Sequence, residues 1–228
     1  MRADVFTLFP AAFDWFCGQR HVRNAIEHGA RVECVDYRDS TTLSGRSVDD
    51  TPFGGGAGMV LRVDVVEWAL RARYDVDPVE LGARRRVIGL TPGGRMLDEA
   101  LVCELAAEPE LTLLCGRYEG FDERILEHFC TDRVSIGPYV LAGGELPAMV
   151  LLDAVLRKLP GALGDAASAH EESFSAALEG HPEYPHYTRP AEYRGWPVPD
   201  VLLSGDHARV EAWRREQSMR RSRPAPLQ

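Results

Sequence analysis

Residues 135–149, Ser-Ile-Gly-Pro-Tyr-Val-Leu-Ala-Gly-Gly-Glu-Leu-Pro-Ala-Met, constrain the fold more than any other stretch. They begin at the end of a strand, Arg133 to Ile136, cross a glycine-rich loop and open a helix at Pro147, with three glycines and two prolines in the whole stretch. Proline suits a first helical turn because its missing N–H would have no partner there. A glycine-rich turn between strand and helix lets backbone N–H groups approach a ligand without Cβ interference. Two more glycine-bearing loops lie upstream, Thr91-Pro92-Gly93-Gly94 and Gly116-Arg117-Tyr118-Glu119-Gly120. Each is expected to follow the C-terminal end of a strand, where open α/β sheets bind ligands. Together they suit a small planar or ribose-containing molecule.

The periodicity around these loops predicts an α/β fold with a mostly parallel sheet covered on both faces. Strands are expected at 3–9, 31–37, 86–90, 111–115 and 133–136. Helices are expected over Phe13–Ile26, 59–74, 97–107, 121–129 and 148–158. Residues 38–58 read as a polar loop. After Leu159-Pro160 the chain becomes rich in Ala, Gly, Ser, Glu, His and Pro, which predicts a linker or mobile loop over 161–190. Helical character returns at 204–222, where Ser204 or Asp206 supplies the cap and Val210 and Trp213 share a face. Knots are nearly absent from the topologies such reasoning admits.

At 228 residues the chain can bury a full core. No apolar run reaches 18 residues, so no membrane span is expected, and the N-terminus lacks the apolar core of a signal peptide. The five cysteines are scattered with no C-x-x-C pair, which predicts buried thiols in a reducing cytoplasm. The net charge of −9 argues against a general polyanion binder. Residues 206–223 nevertheless hold six arginines against three acids. Of the 26 basic residues only Lys158 is a lysine, which fits coding bias as well as arginine's match to phosphate.

Standard nucleotide motifs do not fit. Gly54-Gly55-Gly56-Ala57-Gly58 follows a polar loop rather than a strand, and there is no G-x-x-x-x-G-K-[ST]. The seven histidines show no metal-ligand spacing, and no G-x-S-x-G elbow occurs. Glu171 and Glu172 place two acids in the linker, while Arg157 stands on the last turn of the helix before it. A movable carboxylate and an arginine fixed near a pocket form a base-and-electrophile pair, although adjacent surface glutamates are more often a solvated face.

Several longer motifs carry a resemblance. They are Thr7-Leu8-Phe9-Pro10, Val48-Asp49-Asp50, Gly54 to Met59, Gly116 to Asp122, Leu141 to Met149, His186-Tyr187-Thr188-Arg189-Pro190 and Leu202 to His207. In these, nearly end to end, the chain resembles the bacterial tRNA (guanine-N1)-methyltransferases of the SPOUT superfamily. The resemblance implies an S-adenosylmethionine-dependent enzyme that methylates guanine 37 of tRNA in the cytoplasm. It implies a SPOUT domain over 1–160 with a trefoil knot over about 86–160, a mobile linker over 161–175, and a helical tRNA-binding domain over 176–228. It also implies a homodimer whose active site is shared between subunits. Carried over residue by residue, the cofactor is held by Leu90, Pro92, Gly116, Tyr118, Glu119, Gly120, Ile136, Gly137, Tyr139, Leu141, Gly143, Gly144 and Pro147. Glu172 is the base, Arg157 faces the guanine O6, and Asp50, Arg189, His207, Arg214 and Arg220 contact RNA. Magnesium assistance is a family expectation for which no dedicated site is visible. Two residues depart from the family pattern: Glu172 and Pro138 both stand where aspartate is usual. The alternatives are a SPOUT methyltransferase with another RNA target and a catalytically weak RNA-binding relative.

Overall fold

The computed structural model describes residues 1–163 and 172–222. The chain divides into two compact units, Met1–Gly164 and Asp165–Gln228.

The first unit is built on a five-stranded parallel sheet of β1 (Arg2–Thr7), β2 (Arg31–Asp36), β5 (Arg86–Met96), β6 (Glu110–Cys115) and β7 (Asp132–Ser135). Their order is β2-β1-β6-β5-β7. In β1 and β6 side chains alternate between two buried faces, which is why these segments read as largely apolar runs. On one face Ala3, Val5, Ile88, Leu90, Leu111 and Leu113 pack beneath α1 (Ala12–Cys17), α2 (Arg20–Glu27), α5 (Glu99–Ala106) and α7 (Glu145–Leu156). On the other, Phe6, Val87 and Leu114 meet α3 (Val63–Tyr74), α4 (Pro78–Leu81) and α6 (Glu123–His128).

Several sequence expectations are corrected. The first helix is two, interrupted at Gly18 and Gln19. Within the expected polar loop, β3 (Asp49–Asp50) pairs antiparallel with β4 (Val60–Leu61), so α3 starts at Val63 rather than Met59. Residues 91–94 are not a loop after a finished strand. β5 continues to Met96, and its register against β7 shifts between Leu90 and Arg95. Helix α7 begins at Glu145, so Pro147 lies inside its first turn rather than opening it. Of the cysteines only Cys115 is buried, Cys103 is exposed, and the others are half-buried. Burial pushes the Cys130 thiol up to about 12, which keeps it protonated and unreactive.

At the N-terminal ends of the strands, opposite the glycine loops, Asp4 is fully buried. Its carboxylate accepts from Arg73 at 2.6 Å, Arg85 at 3.2 Å and the Tyr74 hydroxyl at 2.9 Å. Arg85 also lies 4.3 Å over the Tyr74 ring.

In the second unit β8 (Glu192–Tyr193) and β9 (Trp196–Pro197) form a separate antiparallel ribbon. Two helices follow, α8 (Asp200–Leu203) and α9 (His207–Arg221), the latter capped by Asp206, which accepts from the Arg209 N–H at 3.2 Å. Segment 181–184 straps α9: Ser218 donates to the Pro182 carbonyl at 2.7 Å, and Tyr184 is buried. No described helix is long and apolar enough to cross a membrane.

Candidate functional site

β6, β5 and β7 are neighbours in the sheet, so the segments that leave their C-terminal ends converge. They enclose a cavity of about 240 Å³. Every residue assigned above to the cofactor, from Leu90 to Pro147, lines it. Pro138 is exposed and does not line it, so the proline in place of the family's aspartate removes no lining group.

The second and third loops hold one another. The Gly144 N–H donates to the Gly116 carbonyl at 2.8 Å, and Arg117 bridges to Gly143. Arg117 donates to the Ala142 carbonyl at 2.8 Å and lies 4.4 Å over the Phe9 ring. The third loop turns on itself at Ser135, whose hydroxyl donates to the Gly137 carbonyl at 3.1 Å, and the Tyr139 hydroxyl donates to the Ile136 carbonyl at 3.2 Å. At the start of α7 the buried Glu145 accepts from Thr7 at 2.8 Å, which ties the third loop to β1.

The β3–β4 hairpin clamps the second loop from the other side. The Glu119 N–H donates to the Met59 carbonyl at 2.9 Å, and Leu61 N–H donates to Gly120 at 3.0 Å. Tyr118 sits between them at φ +61°, a left-handed conformation that a non-glycine residue keeps only where its surroundings impose it. Burial and the Asp49 carboxylate push its hydroxyl above the usual tyrosine value, so it stays protonated at neutral pH.

The sequence motifs did not single out Arg117, Glu123 or Glu145. A charged residue directly after Gly116 and another directly after Gly144 were the available signals.

The remaining candidates lie apart in the chain. Arg157 caps the C-terminus of α7 and is half-buried. Glu172 belongs to the second unit, where its carbonyl accepts from the Ser175 N–H at 3.0 Å. Glu171 lies outside the described residues. Asp50 is exposed on β3 and pairs with Arg62 at 3.0 Å. Arg189 and His207 are exposed, Arg214 lies 4.7 Å over the Tyr184 ring, and Arg220 pairs with Glu216 at 2.7 Å.

The glycines of the third loop separate two roles. A Cβ at Gly143 would press on the Glu145 carboxylate and on Arg117 Cδ at 2.5 Å, flexible side chains that can yield. A Cβ at Gly144 would lie 2.6 Å from Cys115 Cα and 2.9 Å from Gly116 N, both backbone. A Cβ at either glycine would therefore press on the neighbouring loop. Gly143→Ala is expected to displace Arg117 from Ala142 and weaken a cavity ligand about fivefold by calorimetry, the worth of one hydrogen bond of ~1 kcal/mol. Gly144→Ala is expected to destabilise the unit itself by ~1–3 kcal/mol in a urea melt, as overpacking does.

The model of the family described as tRNA (Guanine-1)-methyltransferase TrmD matches residues 1–226. The chain is 52% identical over 219 residues to a Rhodospirillum rubrum protein named tRNA (guanine-N(1)-)-methyltransferase, covering 96% of this chain and 87% of that one. A Brevibacillus brevis protein of the same name is 49% identical over 224 residues, covering 98% and 88%. One from Aromatoleum aromaticum is 48% identical over 231 residues, covering 100% and 87%. With a family model spanning almost its whole length and relatives matched over nearly all of theirs, this chain belongs to the tRNA (guanine-1)-methyltransferase family.

Proposed function

We propose that the protein transfers a methyl group from S-adenosylmethionine to N1 of guanine 37 in tRNA, beside the anticodon. The observation that carries this reading is the single cavity lined by every residue carried over to the cofactor. Its chemistry fits the group. Leu90, Ile136 and Leu141 offer apolar surface to a purine, loop backbone offers N–H and C=O groups to its edge, and Glu119 and Glu123 offer carboxylates to a cation. When bound, S-adenosylmethionine supplies an electrophilic methyl on a sulfonium.

The guanine N1–H is a weak acid and a poor nucleophile while protonated. Glu172 takes that proton as the N1–methyl bond forms, and Arg157 stabilises the negative charge that develops toward O6. The two residues belong to different compact units. The homodimer, the linker over 161–175 and the tRNA-binding role of 176–228 are parts of this reading, as is the cytoplasmic location. So is the trefoil knot over about 86–160. Among the described residues no cluster of three or more His, Cys, Asp or Glu side chains is arranged to hold a metal, and no step is assigned to magnesium.

Mass mapping of a tRNA transcript incubated with S-adenosylmethionine tests the function. Methylation at N1 of guanine 37 is expected, with loss of the product when that guanine is replaced by adenine. A methyl group on another nucleotide would overturn the reading. The basic face of α9 gives a second test. Arg214→Gln with Arg215→Gln should make the slope of log affinity for tRNA against log salt shallower by roughly 1.5, as two lost phosphate contacts require. Cofactor affinity should not change. Arg220 is left out because Glu216 already neutralises it.

A further inference from the structure

The ribbon of residues 192–197 is an unusual piece of surface. Its strands pair only with each other, with Glu192 opposite Pro197 and Tyr193 opposite Trp196. Arg194 and Gly195 make the connection at φ +55° and +78°, a two-residue turn whose twist matches that of the strands. The ribbon is therefore held in one conformation by its own backbone. Yet Tyr193 is 56% exposed and Trp196 68% exposed, with ring centroids 6.1 Å apart and planes inclined at 55°. The Arg194 guanidinium lies 5.4 Å from the Tyr193 ring centre. A cross-strand aromatic pair steadies a short hairpin, but that role leaves the outer faces of both rings open to water.

The surrounding charge says what suits those faces. Most arginines of the first unit have a carboxylate partner, for example Arg62, Arg71, Arg73, Arg86 and Arg124. In the second unit Arg189, Arg194, Arg209, Arg214 and Arg215 make no ion pair with any described residue, whereas Arg220 does. Two of the five stand on or beside the ribbon. Exposed rings interleaved with unpaired guanidinium groups match a polyanion that also carries flat faces. Unpaired nucleobases have such faces free, whereas those of a duplex are already stacked.

We infer that the β8–β9 ribbon is an RNA contact, in which Tyr193 and Trp196 stack on unpaired bases of the substrate and Arg194 and Arg189 meet its phosphates. The inference rests on the tRNA reading above and names, within the stretch given a tRNA-binding role there, the side chains that meet bases.

The test uses the full-length protein and an unmodified tRNA transcript. Tyr193→Ala and Trp196→Ala should each weaken tRNA binding by roughly 5- to 100-fold, the range for a lost base–aromatic stack. Tyr193→Phe and Trp196→Phe should retain most of the affinity. Trp196→Phe should also remove a large share of the tryptophan quenching that tRNA causes. Cofactor affinity by calorimetry and molecular mass by light scattering should be unchanged, and a stem-only duplex should compete poorly. Should an alanine variant unfold, Tyr193→Leu and Trp196→Leu keep apolar bulk without a ring face and are expected to show the same loss. Unchanged tRNA affinity in folded ring-less variants would overturn the inference while the methyl-transfer reading stands. A change in molecular mass would overturn it too, because the ribbon would then be covered by a second copy of the chain. Failure of the unaltered protein to bind tRNA would remove both readings together.

Discussion

Glu172→Gln is expected to slow single-turnover methyl transfer to tRNA by roughly 100-fold or more, in line with general-base contributions. The amide keeps the size of the side chain and removes the oxygen that takes the guanine N1 proton. Cofactor affinity should barely change, because Glu172 does not line the cavity of the first unit. Glu172→Asp should retain activity and is expected to raise it if the added methylene displaces the carboxylate by about 1 Å, a shift that can cost on the order of 100-fold. Glu171→Gln serves as the control and should have a small effect. Rapid-quench measurement of methyl incorporation reads all three. An inactive Glu171→Gln beside an active Glu172→Gln would move the base by one residue and leave the function standing.

Asp4→Ala should destabilise the first unit by ~3–5 kcal/mol, the usual result of removing one partner from a buried ion network. The carboxylate is fully buried and compensates Arg85, whose side chain is 5% exposed, and Arg73, at 24%. Without it the Arg85 guanidinium stays in the protein interior short of a counter-charge, and the Tyr74 hydroxyl is left with the Thr112 hydroxyl at 2.8 Å. Arg73 would keep Glu33, and Arg85 would keep its bond to the Leu111 carbonyl at 3.2 Å but, for counter-charge, only a 3.7 Å approach to Glu110. The melt of an Asp4→Leu, Arg85→Met double variant discriminates between causes. If the cost lies in the stranded charge rather than in lost packing, the pair should recover much of the loss. The network lies at the N-terminal ends of the strands, away from the cavity, so the folded fraction of Asp4→Ala should bind cofactor normally. A stability loss within ~0.5 kcal/mol, the range of an ordinary surface change, would show that water already solvates these groups.

Four of the five strands of the main sheet were legible to within two residues at each end, whereas β5 runs six residues past its expected end; β1 and β6 were legible because they are buried on both faces. Such strands appear as short apolar runs closed by Pro, Gly or a charged turn, and Ala3–Phe6 and Leu111–Cys115 are of that kind. The helices that failed did so for local reasons. Gly18 interrupts an apolar stripe without changing its period, so α1 and α2 read as one. Met59, Val60 and Leu61 carry the apolar pattern into α3, and only their pairing with Asp49, Asp50 and the second loop makes them a strand. α4 was passed over although Asp77-Pro78 holds a usable signal, for Asp77 accepts from the Val79 N–H at 3.0 Å and proline stands at the first helical position. The β8–β9 ribbon has two residues per strand, too few for any alternation to register.

The sequence by itself determined the alternation of strand and helix, the glycine-bearing segments that follow β6 and β7, and, through long ordered motifs, the family. Those are properties of neighbouring residues and of linear order. Tertiary structure alone decided that β6, β5 and β7 lie side by side, so that segments separated by sixteen or more residues line one cavity. It also decided that a Cβ at Gly143 or Gly144 would meet Arg117, Glu145 or the Cys115 backbone. The physical reason is the same in both cases. Strand order and close backbone approach are set by which buried surfaces fit together, and that fit joins residues whose separation in sequence carries no periodic signal.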